Sequence, residues 1–127
     1  QAMYKKHQDD VISFLYEFED FHFEEMKREG HGSLCVCGQV LKNTSYPESI
    51  RRLGLGFMRE FEAVGLSLVE ASYKSGNIRK ELNPRSVGQQ MMAIMLGMRE
   101  VCGMEDSHIE AMEKYSGTLK SFADGLK

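Results

Sequence analysis

Three residues in the stretch "GHGSLCVC" have side chains that bind soft metal ions or react as thiols: His31, Cys35 and Cys37, spaced H-x3-C-x-C. If this stretch is helical, the two cysteines point about 200° apart and cannot easily hold one ion together. No second C-x2-C or H-x3-H completes a ligand set. A buried thiol without a nearby cation also has a raised pKa and reacts slowly. The cysteines, Cys102 included, therefore read as small buried hydrophobes. Glu19-x-x-His22 has the spacing of a di-iron helix bundle, but it occurs once where that chemistry needs a pair. The chain contains no G-x-S-x-G, no phosphate-binding glycine loop and no H-E-x-x-H. The expectation is no catalytic residue, no metal, no cofactor and no enzyme activity.

A second group is larger and apolar. Phe14, Phe18, Phe21, Phe57 and Phe61, with Met58, Met91 and Met95, recur at helical spacing. Such a set forms either a plain core or the lining of a ligand cavity, where methionine adapts to irregular shapes. The elements that carry it must be helices. Only two prolines occur, Pro47 and Pro84, each where a helix should start, and strand-like alternation is scarce.

Composition sets the outer limits. A chain of 127 residues is one domain's worth. With 42% apolar and 28% charged residues it can bury a core without disulfides or metal. Three cysteines, an odd number, argue against a secreted disulfide scaffold and for a reducing cytoplasm. No apolar run approaches the roughly 20 residues that span a bilayer. The net charge of -3, with scattered basic residues, argues against phosphate-backbone contact by this chain itself.

Five helices are predicted. The first runs from about Ala2 to Glu29, with Tyr4, His7, Val11, Phe14, Phe18, Phe21, His22 and Glu25 at spacings of three and four. A short second helix, about Leu34 to Asn43, is apolar all round and should run through the middle of the domain. The third starts at a Ser45–Glu48 capping box with Pro47 in its first turn and stops near Lys74 and Gly76. Its face is Ile50, Leu53, Phe57, Phe61, Val64, Leu68 and Ala71, and Gly56 and Gly65 leave room for a close neighbour or a ligand. Asn83 caps the fourth and Pro84 opens it. That helix has one stripe of Val87, Met91, Met95, Met98 and Cys102 and a second of Met92, Ile94, Leu96 and Val101. A single core uses one stripe, so the second needs a cover. The last helix, from Asp106 or Ser107 to Gly125, carries a seam of Ile109, Met112, Ser116, Leu119, Ala123 and Leu126. The last two helices are expected to meet the same two of another copy in a dimeric four-helix bundle.

The stretch "SGNIRKELNPRSVGQQMMAIMLG" resembles the junction before the dimerisation helices of TetR-type transcriptional regulators. Gly76, Ile78, Arg79, Leu82, Asn83 and Pro84 carry the match, with Asn83 where aspartate is frequent. "GHGSLCVCGQVL" more loosely resembles that family's lead-in to its central helix. The likeness covers the chain from about Gly30 to Gly125, the family's C-terminal effector-binding and dimerisation part.

The resemblance implies a cavity for a small apolar effector. Phe14, Phe18, Phe21, Phe57, Met58, Phe61, Met91 and Met95 would line it, with His22, Gln39, Glu62 and Arg99 as orienting polar groups. It implies a homodimer through Met92, Leu96, Arg99, Ile109, Met112, Ser116, Leu119 and Ala123. Family members place a helix-turn-helix ahead of this region. Nothing here supplies one, and the helical pattern already under way at Gln1 leads to the expectation of a fragment of a longer protein. DNA would be reached only through that head, and repression relieved by effector is the expected mode. The other readings are a stand-alone helical dimer with no DNA role and a small helical enzyme or metal carrier.

Overall fold

The computed structural model describes residues 2–29 and 45–127. The predicted second helix, with His31, Cys35, Cys37 and Gln39, lies outside them. Every regular element among the described residues is a helix: α1 (Ala2–Lys6), α2 (Val11–Glu29), α3 (Glu48–Lys74), α4 (Pro84–Gly103), α5 (His108–Tyr115) and α6 (Thr118–Asp124).

The expected first helix is two. Asp10 starts the second: its carboxylate accepts the Ser13 N–H at 3.1 Å and the Ser13 hydroxyl at 2.7 Å, the usual work of an N-cap aspartate. The Val11 N–H, which a helix leaves unsatisfied, goes to the buried Ser72 hydroxyl of α3 at 2.9 Å. Ser72 in turn donates to the Leu68 carbonyl. Asn77 Nδ2 donates to the Asp9 carbonyl at 2.7 Å and holds the break open.

The expected last helix is also two. Gly117 takes φ +89°, a conformation L side chains avoid, and the chain restarts at Thr118. Across the break, Glu19 of α2 supplies the acceptor that α6 lacks, taking the Leu119 N–H at 2.9 Å.

α2 sits at the centre and packs against α1, α3, α5 and α6. Its buried residues, from Val11 through Phe14, Leu15, Phe18, Phe23 and Met26, span more than one face for that reason. Among the described residues, α3 and α4 form the most extensive helix pair. There the Met92 sulfur and Met91 methyl lie 3.0 and 3.1 Å from where a Gly65 Cβ would stand, and Leu66 fills the space beside Gly88. The glycines permit a close approach that adds to dispersion contact. The stripe Val87, Met91, Met95, Met98 and Cys102 is buried as expected.

The caps around α4 follow the sequence. Asn83 Oδ1 accepts from the Arg85 and Ser86 N–H groups with Pro84 opening the helix, and Gly76 turns at φ +78°. Ser107 caps α5 by accepting the Glu110 N–H. At α3 the expected Ser45 cap is displaced: Pro47 holds the N-cap position and its carbonyl accepts from Ile50 and Arg51. The loop after Gly76 also binds the C-terminus, through the Arg79 N–H to Leu126 and the Arg79 guanidinium to Gly125, both at 2.9 Å.

Candidate ligand cavity

A cavity of about 470 Å³ opens between α1, α2 and α3, lined by Met3, Tyr4, Phe14, Phe18, Phe21, Phe57, Glu60, Phe61 and Val64. Helical periodicity builds it. Phe14, Phe18 and Phe21 follow one another at four and three residues on α2; Phe57, Phe61 and Val64 do the same on α3. Phe14 and Phe18 pack at 5.8 Å between ring centroids, and Phe18 and Phe61 at 6.3 Å, both tilted. Those rings form the inner wall. Phe21, 49% exposed, and Phe57, 54% exposed, mark the open side.

All five phenylalanines expected at a ligand site meet here. Met91 and Met95 do not reach the cavity. They lie behind it with Gly65, Leu68 and Met92, where the space left is about 10 Å³, so they are packed core. Met58 and Glu62 turn to another face of α3, because one residue along a helix rotates about 100°. They line a separate surface groove of about 330 Å³ with Leu55, Arg59, Met92 and Leu96. Ile50 and Leu53, expected in the buried face of this helix, are exposed beyond Phe57.

His22 is not at the cavity either. It is 1% exposed, its ring tilted against that of Phe23, and neither ring nitrogen has a hydrogen-bond partner among the described residues. Burial, and secondarily the Arg99 charge, pull its pKa down to about 4, so it is a neutral core residue near pH 7. Arg99 lies over the Phe18 ring at 5.4 Å, outside the cavity lining.

Met3, Tyr4, Glu60 and Val64 complete the lining without having been singled out as site residues. A signal existed for Glu60: it sits three residues after Phe57, on the same side of α3. Among the described residues, Glu60 is the one charged residue in the lining, and it has no ion pair or hydrogen bond there.

The expected partner face is only partly available. Met92, Leu119 and Ala123 are buried inside the chain, Met92 under Gly65 and the other two on α6, which packs against α2. Their burial is accounted for without a second copy, which corrects their assignment to an interface. Leu96, Arg99 and Met112 are half-buried, and Ile109 and Ser116 are exposed.

Among the described residues, no group of three His, Cys, Asp or Glu side chains stands close enough to hold a metal ion. Cys102 is buried and its thiol pKa is pushed up to about 11, first by burial and then by Glu105, so it is a poor nucleophile. Glu19 is occupied at Leu119, which separates it in role from His22. No described helix is long and apolar enough to cross a membrane. Comparison with protein-family models, with curated proteins and with solved structures finds no significant match.

Proposed function

We propose that this chain is a small-molecule sensing domain, the effector-binding and dimerisation part of a TetR-like transcriptional regulator. The observation that carries the sensing role is the aromatic cavity between α2 and α3. Its volume, about 470 Å³, lies within the range of small-molecule sites, and its lining is almost wholly apolar. A ligand there would touch α1, α2 and α3 at once. It shifts the helices only by binding one arrangement more tightly than another. The regulator reading adds a homodimer and a DNA-reading head outside this sequence, and rests on the resemblance of the Gly76–Pro84 junction.

Binding of the neutral fluorescent probe N-phenyl-1-naphthylamine tests the sensing role. Phe57 is half-exposed, so Phe57→Ala leaves the fold intact while removing a wall of the cavity. The expected result is saturable binding by the wild type, weakened about tenfold in Phe57→Ala, which is the loss of roughly one aromatic contact. Absence of binding, or equal binding by the variant, removes the cavity as the sensor. Sedimentation tests the dimer: Ile109→Glu, at an exposed position of α5, should produce monomers.

A further inference from the structure

The lining chemistry selects among apolar ligands. We infer that the cavity takes a lipophilic aromatic cation, held between phenylalanine faces with its positive charge toward Glu60. This rests on the cavity reading above and adds the charge of the ligand to it.

Three observations carry the inference. First, among the described residues the lining contains one carboxylate and no lysine, arginine or histidine. An anionic ligand, such as a fatty acid, would meet Glu60 and no counter-charge. Second, Glu60 has no ion pair or hydrogen bond among the described residues, so its charge is not already neutralised. The other carboxylate on the stripe, Glu25 one turn beyond Phe21, is paired with Arg28. Third, aromatic faces attract cations through the ring quadrupole. The cluster already shows this: the Arg99 guanidinium sits over Phe18 at 5.4 Å. Phe57, one turn before Glu60, shares its side of α3, and both line the cavity with Phe61.

Arg99 works against a second cation. It acts from outside the lining, across the Phe18 ring, whereas Glu60 is in the lining itself. The nearer charge should prevail, since Coulomb energy falls with distance and water screens the rest.

The test uses two probes of nearly one shape. Acridine is neutral in mildly alkaline buffer, and 10-methylacridinium differs by one methyl group and one positive charge. Their affinities are measured by fluorescence titration on the whole chain and on Glu60→Gln, a surface-accessible change that keeps side-chain size. The expected result is 10-methylacridinium binding about tenfold more tightly than acridine. In Glu60→Gln that preference should shrink to about twofold or less, with the affinity for acridine unchanged. Equal binding of the two probes by the wild type, or an undiminished preference in Glu60→Gln, overturns the cation inference and leaves the cavity reading standing. If neither probe binds, both fall.

Discussion

Glu19 and Leu119 are joined across 100 residues by a 2.9 Å hydrogen bond from the Leu119 N–H to Glu19 Oε1, and both residues are buried. The first turn of α6 has N–H groups that no local side chain caps, because its N-cap is Gly117. α2 supplies the cap instead. Lys120 stands 3.9 Å from Glu19 and 2.6 Å from Asp20, which balances the buried charge. Glu19→Ala leaves a buried N–H without a partner and should lower stability by about 1–3 kcal/mol. Glu19→Gln keeps an acceptor oxygen and should cost less. Urea denaturation of the two variants checks the order; equal losses would mean that charge, not hydrogen bonding, is what α6 needs.

Gly117 belongs to the same device. Its φ of +89° is strained for any residue with a Cβ, while nothing within 4 Å would collide with one. Gly117→Ala should therefore destabilise by about 1–2 kcal/mol through backbone strain alone. Combined with Glu19→Ala the losses should be less than additive, since a misplaced α6 no longer needs the cap. Thermal unfolding of the double variant measures that coupling.

Ser72 performs the matching task for α2. Its hydroxyl accepts from Val11 and donates to Leu68 in a fully buried position. Ser72→Ala orphans the Val11 N–H and should lower stability by about 1–3 kcal/mol. Amide exchange at Val11 should speed up more than exchange at the mid-helix amides of α2, because the break between α1 and α2 loosens first.

These two distant caps show why the helix breaks were hard to read. The apolar spacing Tyr4, His7, Val11 and Phe14 runs straight through the α1–α2 break, and Ile109, Met112, Ser116 and Leu119 run through the α5–α6 break. Periodicity records which side faces inward, and a kinked pair of helices can face the same way. Asp10 and Gly117 are the local signals, and the groups that complete each break act from afar: Ser72 on Val11 across 61 residues and Glu19 on Leu119 across 100. Where the capping group was local, as at Asn83, Gly76 and Ser107, the reading matched. The aromatic cavity was legible for the same reason: Phe14, Phe18, Phe21, Phe57 and Phe61 obey a simple spacing. Met58 and Glu62 adjoin Phe57 and Phe61 in sequence but lie about 100° round the helix, which takes them to a separate groove. The seam that holds Leu119 and Ala123 has the spacing of a partner interface, but α2 of the same chain covers it.

His22 makes folding depend on pH. In an unfolded chain it protonates near pH 6.5, but burial and the Arg99 charge hold its folded value at about 4. Between those values the unfolded chain binds a proton that the folded chain does not. Stability should therefore be fully present above pH 6.5, fall as pH drops toward 4, and gain no further loss from this residue below that. Each pH unit inside the window removes up to about 1.4 kcal/mol. His22→Phe fills a similar volume without ring nitrogens, so it removes both the titration and the two unpartnered polar atoms. It should be at least as stable as the wild type at pH 7 and more stable at pH 5. Denaturant midpoints for both proteins at the two pH values decide the matter: parallel losses on acidification would show that His22 takes up its proton alike in the folded and unfolded chains and that other groups set the slope.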